Sequence, residues 1–305
     1  MAENPVTSDF WKTLDGNSPR IIAHRGASGH RPEHSPEAFA LAFAQGADAV
    51  EPDVLPSRDG VLIVRHDIDL APTTDIAWRR EFASRARRVD DKPQWWIGDF
   101  DAAELDTLRC VQHNPLRSRE YDGQSAVLRL SNLLEMARAA KCVVDVELKD
   151  TDYFHSLGFD PVALFESELR AADALGVDTP VWLECFDHAV LRKLHARCGN
   201  HCFALVESMP DANALRELAS WARGIAPPKN LLWDATGRAM RLVADVHAAG
   251  LELHAWTFRD DGDCTPFATP RAELEAAFAL GVDALFCDFP DSAIAARAGF
   301  SGGRG

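Results

Sequence analysis

PEAFALAFAQGADAVEPDV, residues 36–54, is the stretch on which the architecture turns. Apolar residues recur at three- and four-residue spacing through Pro36–Gln45, the repeat of one helical face. Gly46 then stands where a helix C-cap needs it. Ala47–Val54 follows as an apolar run of strand length that carries Glu51 and Asp53 near its end. Alternate side chains of a strand share a face, so both carboxylates are expected on one side. A helix feeding an apolar strand with charges at its exit is one unit of a parallel α/β protein.

The unit repeats along the chain. Further strands are expected at Ile21–Ala23, Cys142–Leu148, Val181–Phe186, Cys202–Val206, Gly224–Ala226, Leu251–Phe258 and Ala284–Cys287. Helical periodicity marks Asn132–Ala140, Pro161–Leu175, Ala189–Ala196, Ala212–Ala222, Ala239–Ala249 and Arg271–Leu280, with Gly176, Gly250 and Gly281 as further C-caps. Eight strands alternating with helices predict a TIM (β/α)8 barrel. The open doubly wound sheet would want a glycine-rich nucleotide loop, which the sequence lacks. Residues 20–295 read as one barrel domain. Residues 69–125, with paired Trp and clustered Arg, interrupt the alternation and read as a small cap inserted after the second barrel strand. The tail SGGRG reads as a flexible end.

Composition narrows the function. The chain has 305 residues, 47% hydrophobic and 26% charged, with a net charge of −15. Such acidity repels nucleic-acid phosphates and anionic lipid surfaces. No run of 18 apolar residues exists to span a bilayer, so no stable membrane association is expected. The first 20 residues carry no basic stretch followed by an apolar core. That reads as a cytoplasmic protein, or a periplasmic one had a leader been removed. Seven Cys without a CxxC pair suit a reducing compartment better than a disulfide framework. The expected partner is a small molecule, and the oligomeric state is left open.

Chemistry-bearing residues fall at strand ends, where barrel enzymes place their active sites. Ile21-Ile22-Ala23 runs into His24-Arg25-Gly26, a titratable ring and a cation. Asp59-Gly60 turns the chain so that Val61–Val64 brings His66-Asp67 to the same mouth, a second imidazole for acid–base work. In Val143-Val144-Asp145-Val146-Glu147-Leu148-Lys149 the three charges share a face. Glu147 can complete a carboxylate triad with Glu51 and Asp53, and oxygen donors of that kind suit Mg²⁺ or Ca²⁺. Lys149 and Arg25 offer positive charge to a phosphoryl oxygen. Glu184, Phe186, His254, Trp256 and Phe258 also fall at period two, and Trp256 could pack against apolar carbons of a substrate. Glu207 and Asp288 lie near strand ends without an assigned role.

These motifs closely resemble the glycerophosphodiester phosphodiesterase family, in its longer, cap-containing form. HRG at 24–26, PE at 32–33, GADAVEPDV at 46–54, DG at 59–60, HD at 66–67, TTD at 73–75, ELK at 147–149 and GVDALFCDFP at 281–290 occur in the family's order. The resemblance implies a TIM barrel that hydrolyses glycerophosphodiesters to sn-glycerol 3-phosphate and an alcohol. It implies that His24 and His66 act as general acid and base. Glu51, Asp53 and Glu147 would bind one divalent cation, Ca²⁺ or Mg²⁺, and Arg25 and Lys149 would contact the phosphate. Two departures stand out: His34 and Ser35 replace the Asn and Thr of a PENT motif, and Glu184-Cys185 stands where Gln-Ser is common. Two other readings compete: a phospholipase D-like lipid phosphodiesterase, which would want an apolar or basic rim, and a non-catalytic phosphoester-binding barrel.

Overall fold

The structure is a computed structural model and describes residues 10–301. Its strands are β1 Arg20–His24, β2 Ala49–Glu51, β3 Asp53–Pro56, β4 Leu62–Val64, β5 Arg87–Val89, β6 Lys92–Gln94, β7 Val143–Leu148, β8 Val181–Cys185, β9 His201–Leu205, β10 Gly224–Ala226, β11 Glu252–Phe258 and β12 Ala284–Cys287. Eight of them, β1, β2 and β7 to β12, pair in parallel in one continuous order. The ring closes twice: β1 pairs β12 with Ile22 opposite Phe286, and β2 pairs β7 with Val50 opposite Val144. Helices fill the connections, which gives the expected barrel.

Period-two alternation sorts the side chains. Along β1, Ile21 and Ala23 join the large core packed beneath the helices. Ile22 instead joins Ala49, Leu205, Ala226, Ala284 and Phe286 in a separate cluster, the packed barrel interior. The outer layer buries Phe39, Phe165 and Phe278 completely.

The run expected as one strand, Ala47–Val54, is broken. Pro52 has no N–H for the ladder, so β2 stops at Glu51 and the chain resumes as β3. The Pro52 carbonyl still accepts the Glu147 amide at 2.9 Å, which keeps the interruption in register with β7. Past it, β3 pairs both β7 and the antiparallel β4.

Helix Pro36–Gln45 matches its periodicity residue for residue. The Ser35 hydroxyl accepts the Ala38 amide at 3.1 Å, and Gly46 at φ 86° closes the C-terminus. Three helices fall short of expectation by three or four residues at one end. Helix Pro161–Ala171 stops short of Leu175, because Asp173 takes φ 52°, outside helical space. Helix Ala212–Leu218 stops where the turn toward β10 begins. The third starts at Leu242 because the Met240 amide bonds Leu232 O instead. Helices Thr151–Ser156 and Pro290–Gly299 went unanticipated.

Between β4 and helix Leu130–Ala140 lies the insertion, built from short 3-10 turns, the β5–β6 hairpin and one turn of α-helix at Ala102–Leu105. Its first part packs on the barrel flank: Arg58 Nε meets Asp101 Oδ1 at 2.7 Å, and the Gly98 amide donates to Tyr153 Oη at 2.8 Å. Its later part reaches the loops at the mouth, where Gln112 Nε2 donates to Arg31 O at 3.2 Å. All seven cysteines are free thiols. Of the SGGRG tail, residues 302–305 lie outside the described residues.

Replacing the capping hydroxyl in Ser35→Ala leaves a buried helix N-terminus without its side-chain acceptor. The expected cost is about 1 kcal/mol, measured as a lower urea midpoint at unchanged slope.

Candidate active site

At the C-terminal ends of the strands lies a cavity of about 240 Å³ lined by His24, Arg25, Glu51, His66, Glu147, Lys149, Glu184, Phe186, Leu205, Trp256, Thr257, Arg259 and Phe286. Seven of the eight residues singled out in the sequence therefore share one wall. The eighth, Asp53, sits just behind it among the cations.

Each side chain arrives by a local device. His24 ends β1, and the chain then turns through Arg25 at φ 58°. That turn points the Arg25 amide at Glu51 Oε2, 3.0 Å away. The guanidinium meets Glu33 Oε1 at 2.8 Å and Asp53 Oδ2 at 3.2 Å. His34, the replacement for the family's Asn, occupies φ 59°, a conformation that Asn and His tolerate better than most residues. It is fully buried, with Nε2 3.2 Å from both the amide nitrogen and Oδ2 of Asp53. Burial drives its pKa down to about 4, so the ring is neutral. With its proton on Nδ1, Nε2 accepts the Asp53 amide and leaves Oδ2 to Arg25.

The carboxylates crowd. Glu51, Glu147 and Glu184 bring ligand oxygens within 4.8 Å of one another. Burial raises all three, and nearby carboxylates raise them further, Asp53 foremost for Glu51 and Glu147 and Asp145 for Glu184: Glu147 rises to about 8, Glu51 and Glu184 well above the carboxylate range. Glu51 Oε1 and Glu184 Oε2 are buried without a donor. Lys149 Nζ sits 2.8 Å from Glu147 Oε1, at a poor hydrogen-bonding angle, and 3.9 Å from Asp53 Oδ1. Asp53 alone falls far below the usual range: burial opposes ionisation, but the charge of Arg25 overcomes it. The cluster thus gathers Glu51 and Glu147 with Glu184, while Asp53 is taken up by the cations. Hard oxygen donors with unfilled lone pairs fit a divalent cation of the Mg²⁺ or Ca²⁺ kind. Deeper in the barrel, Asp145 Oδ2 faces His254 Nδ1 at 4.0 Å, and burial alone lifts its pKa to about 8.

The two histidines share a device. His24 Nδ1 donates to Asp288 Oδ1 and His66 Nδ1 to Asp67 Oδ1, each at 2.7 Å. In each ring Nδ1 is engaged by a carboxylate and Nε2 is left for chemistry. Burial and Arg25 lower the His24 pKa against the pull of Asp288, so the ring is neutral at neutral pH. Trp256, held by Nε1 donating to Ala226 O at 2.8 Å, meets Phe186 edge-on at 6.1 Å. With Leu205 and Phe286 they form the cavity's apolar wall. Sequence reasoning left Asp288 and Glu33 without a role, though both stand in quoted motifs, and did not see Arg259. Only those motifs offered a signal.

A mouth with paired imidazoles, two cations and an acidic cluster is equipped for a phosphate ester, and on this fold it defines a barrel hydrolase of phosphodiesters. Comparison narrows the class. The profile of the Glycerophosphoryl diester phosphodiesterase family matches residues 24–292, and the chain belongs to that family of phosphoric diester hydrolases. Glycerophosphodiester phosphodiesterase GDPD6 of Arabidopsis thaliana is 27% identical, covering 92% of this chain and 86% of that one. A glycerophosphodiester phosphodiesterase of Treponema pallidum is 25% identical over 89% of each. Among solved structures, an Oleispira antarctica phosphodiesterase in complex with the product sn-glycerol-3-phosphate superposes with a TM-score of 0.70. It is 24% identical and covers 93% of this chain and 99% of that one. A glycerophosphodiester phosphodiesterase from Agrobacterium tumefaciens superposes at 0.66, with 23% identity and 91% and 99% covered. These two likenesses establish the fold.

Removing one of the crowded charges has opposite effects with and without cation. In EDTA, Glu184→Gln should melt at or above the wild-type temperature, since it relieves repulsion. Ligand binding to the folded state alone stabilises by about 2.7 kcal/mol at a hundredfold excess over Kd. Wild type should therefore melt higher in Mg²⁺ or Ca²⁺, and Glu184→Gln should lose most of that rise in a thermal scan.

Proposed function

We propose that this chain hydrolyses glycerophosphodiesters to sn-glycerol 3-phosphate and an alcohol, using His24 and His66 as an acid–base pair and one divalent cation. The observation that carries the reading is the convergence of both imidazoles, Arg25, Lys149 and the acidic cluster on one cavity. The names of the relatives and the product held by the Oleispira neighbour support the same substrate class.

Glu51, Glu147 and Glu184 would hold the cation, with Asp53 completing the acidic shell beside them. Bound there, Ca²⁺ or Mg²⁺ would neutralise the crowded carboxylates and polarise a phosphoryl oxygen. Arg25 and Lys149 bind and orient the phosphate. Both remain protonated at any working pH, because carboxylates on every side raise their pKa values against the cost of burial. One histidine, through Nε2, takes the proton of the attacking hydroxyl, and the other gives a proton to the leaving alkoxide. The wall of Phe186, Leu205, Trp256 and Phe286 packs the glycerol carbons and excludes water. The attacking hydroxyl is that of water or the substrate's own 2-hydroxyl, and product analysis of a single turnover separates the two by the appearance of a cyclic phosphate.

Release of sn-glycerol 3-phosphate from a panel of glycerophosphodiesters, with Ca²⁺, Mg²⁺ or EDTA, tests the proposal. Release is expected with cation and not in EDTA. Turnover undiminished by chelator rules out the cation's role, and no release from any member rules out the substrate class. His24→Ala and His66→Ala should each lose at least about 100-fold in kcat, within the usual worth of acid–base catalysis, while far-UV circular dichroism stays unchanged. Near-normal turnover in both would contradict the acid–base assignment.

A further inference from the structure

We propose that Arg117, carried by the insertion, is a positioning residue for His24 and acts through the carboxylate of Asp288. The proposal rests on the reading that His24 is one of the acid–base pair.

Asp288 divides its oxygens between two tasks. Oδ1 accepts from His24 Nδ1 at 2.7 Å. Oδ2 accepts from Arg117 Nη2 at 2.6 Å and from Arg259 Nε at 2.9 Å. The carboxylate is only 3% exposed, so its donors come from the protein. A lone buried carboxylate has a soft, roughly two-fold torsion about its last bond. Donors fixed on the far oxygen remove that freedom and aim Oδ1 at the ring. They also keep the group ionised. Burial pushes the Asp288 pKa up, but His24, Arg259 and Arg117 together hold it far below the carboxylate range. An ionised, oriented Asp288 keeps the His24 proton on Nδ1 and Nε2 toward the cavity.

Arg117 is the firmer of the two arginines. Its side chain is 8% exposed against 41% for Arg259. All three nitrogens of its planar fork are engaged: Nε and Nη2 meet Asp261 at 2.7 and 3.0 Å, and Nη1 donates to Ser28 O at 3.1 Å. The guanidinium also lies 5.4 Å from the Phe289 ring centre. A residue of the insertion thus spans the loops that follow β1, β11 and β12, with Asp288 at the crossing. Lysine, a point charge, cannot reproduce that fork. Beside this contact a small polar cavity of about 140 Å³ separates Gln112, His113 and Asn114 of the insertion from His24. The insertion itself is anchored elsewhere, through Arg58–Asp101 and Gly98–Tyr153, so Arg117 is not needed to hold it down.

The test is steady-state kinetics on the most active diester of the panel with saturating cation. Arg117→Ala, Arg117→Lys, His24→Ala and the double variant Arg117→Ala/His24→Ala are compared, with Arg117→Gln as a second probe should the alanine variant fold poorly. Loss of a group orienting a functional imidazole costs about 10- to 100-fold. The expectation is such a fall in kcat for Arg117→Ala or Arg117→Gln, with KM changed by no more than about threefold and only partial recovery in Arg117→Lys. The double variant should be no slower than His24→Ala, since a residue acting through His24 has nothing left to act on. Near-wild-type kcat in Arg117→Ala, or a loss that multiplies onto that of His24→Ala, overturns the positioning role. Full turnover in His24→Ala alone identifies the acid–base reading as the part that failed.

Discussion

Four buried carboxylates, Glu51, Asp53, Glu147 and Glu184, converge at one end of the barrel, and most polar groups around them are answers to that crowding. Unpaired ionised groups are costly in a low-dielectric interior. Asp53 is answered by Arg25 and Lys149. Arg25 is in turn shared with Glu33. Glu51, Glu147 and Glu184 are answered only in part, and their raised pKa values record burial first and the remaining repulsion second. Within the protein that repulsion is relieved by protons. In function, a cation can relieve it, and the charge that strains the folded state becomes the source of affinity. The site is therefore a place where the molecule gives up stability for chemistry.

Much of the barrel was legible because its signals are local. Each strand is an apolar run, each helix has a period, and glycine marks the exits of several helices. Helix ends were less legible where tertiary contacts override propensity, as at Asp173 and Met240. Pro52 carried a readable signal, since a residue without an N–H interrupts a ladder, yet the run on either side looked continuous. The insertion was visible only as a break in the alternation. Its hairpin and short turns are held by contacts to the barrel flank that no local pattern announces.

The site divides in the same way. His24, Arg25, Glu51, His66, Glu147, Lys149 and Trp256 could be found because each stands at the end of an apolar run or turn. Glu184 was equally visible as a charge in a strand, but its place beside Glu147 depends on the register of β7 against β8. Asp288 stands 264 positions from the histidine it orients, and only barrel closure brings the two together. Arg117 lies in a stretch without regular structure. Its role depends on bonds to residues from three other loops.

Closure of the ring carries a consequence for how the protein is made. The first strand to leave the ribosome, β1, finds its second neighbour only in β12, with Arg20 opposite Ala284. Until nearly the whole chain has emerged, one edge of β1 exposes unpaired backbone groups and His24 has no Asp288. Long-range pairing of this kind forms slowly and leaves hydrophobic edges open to other nascent chains. A truncated product lacking β12 therefore forfeits both its barrel and the Asp288 contact of His24. The pairing of β12 decides whether β1 and the histidine at its end become useful.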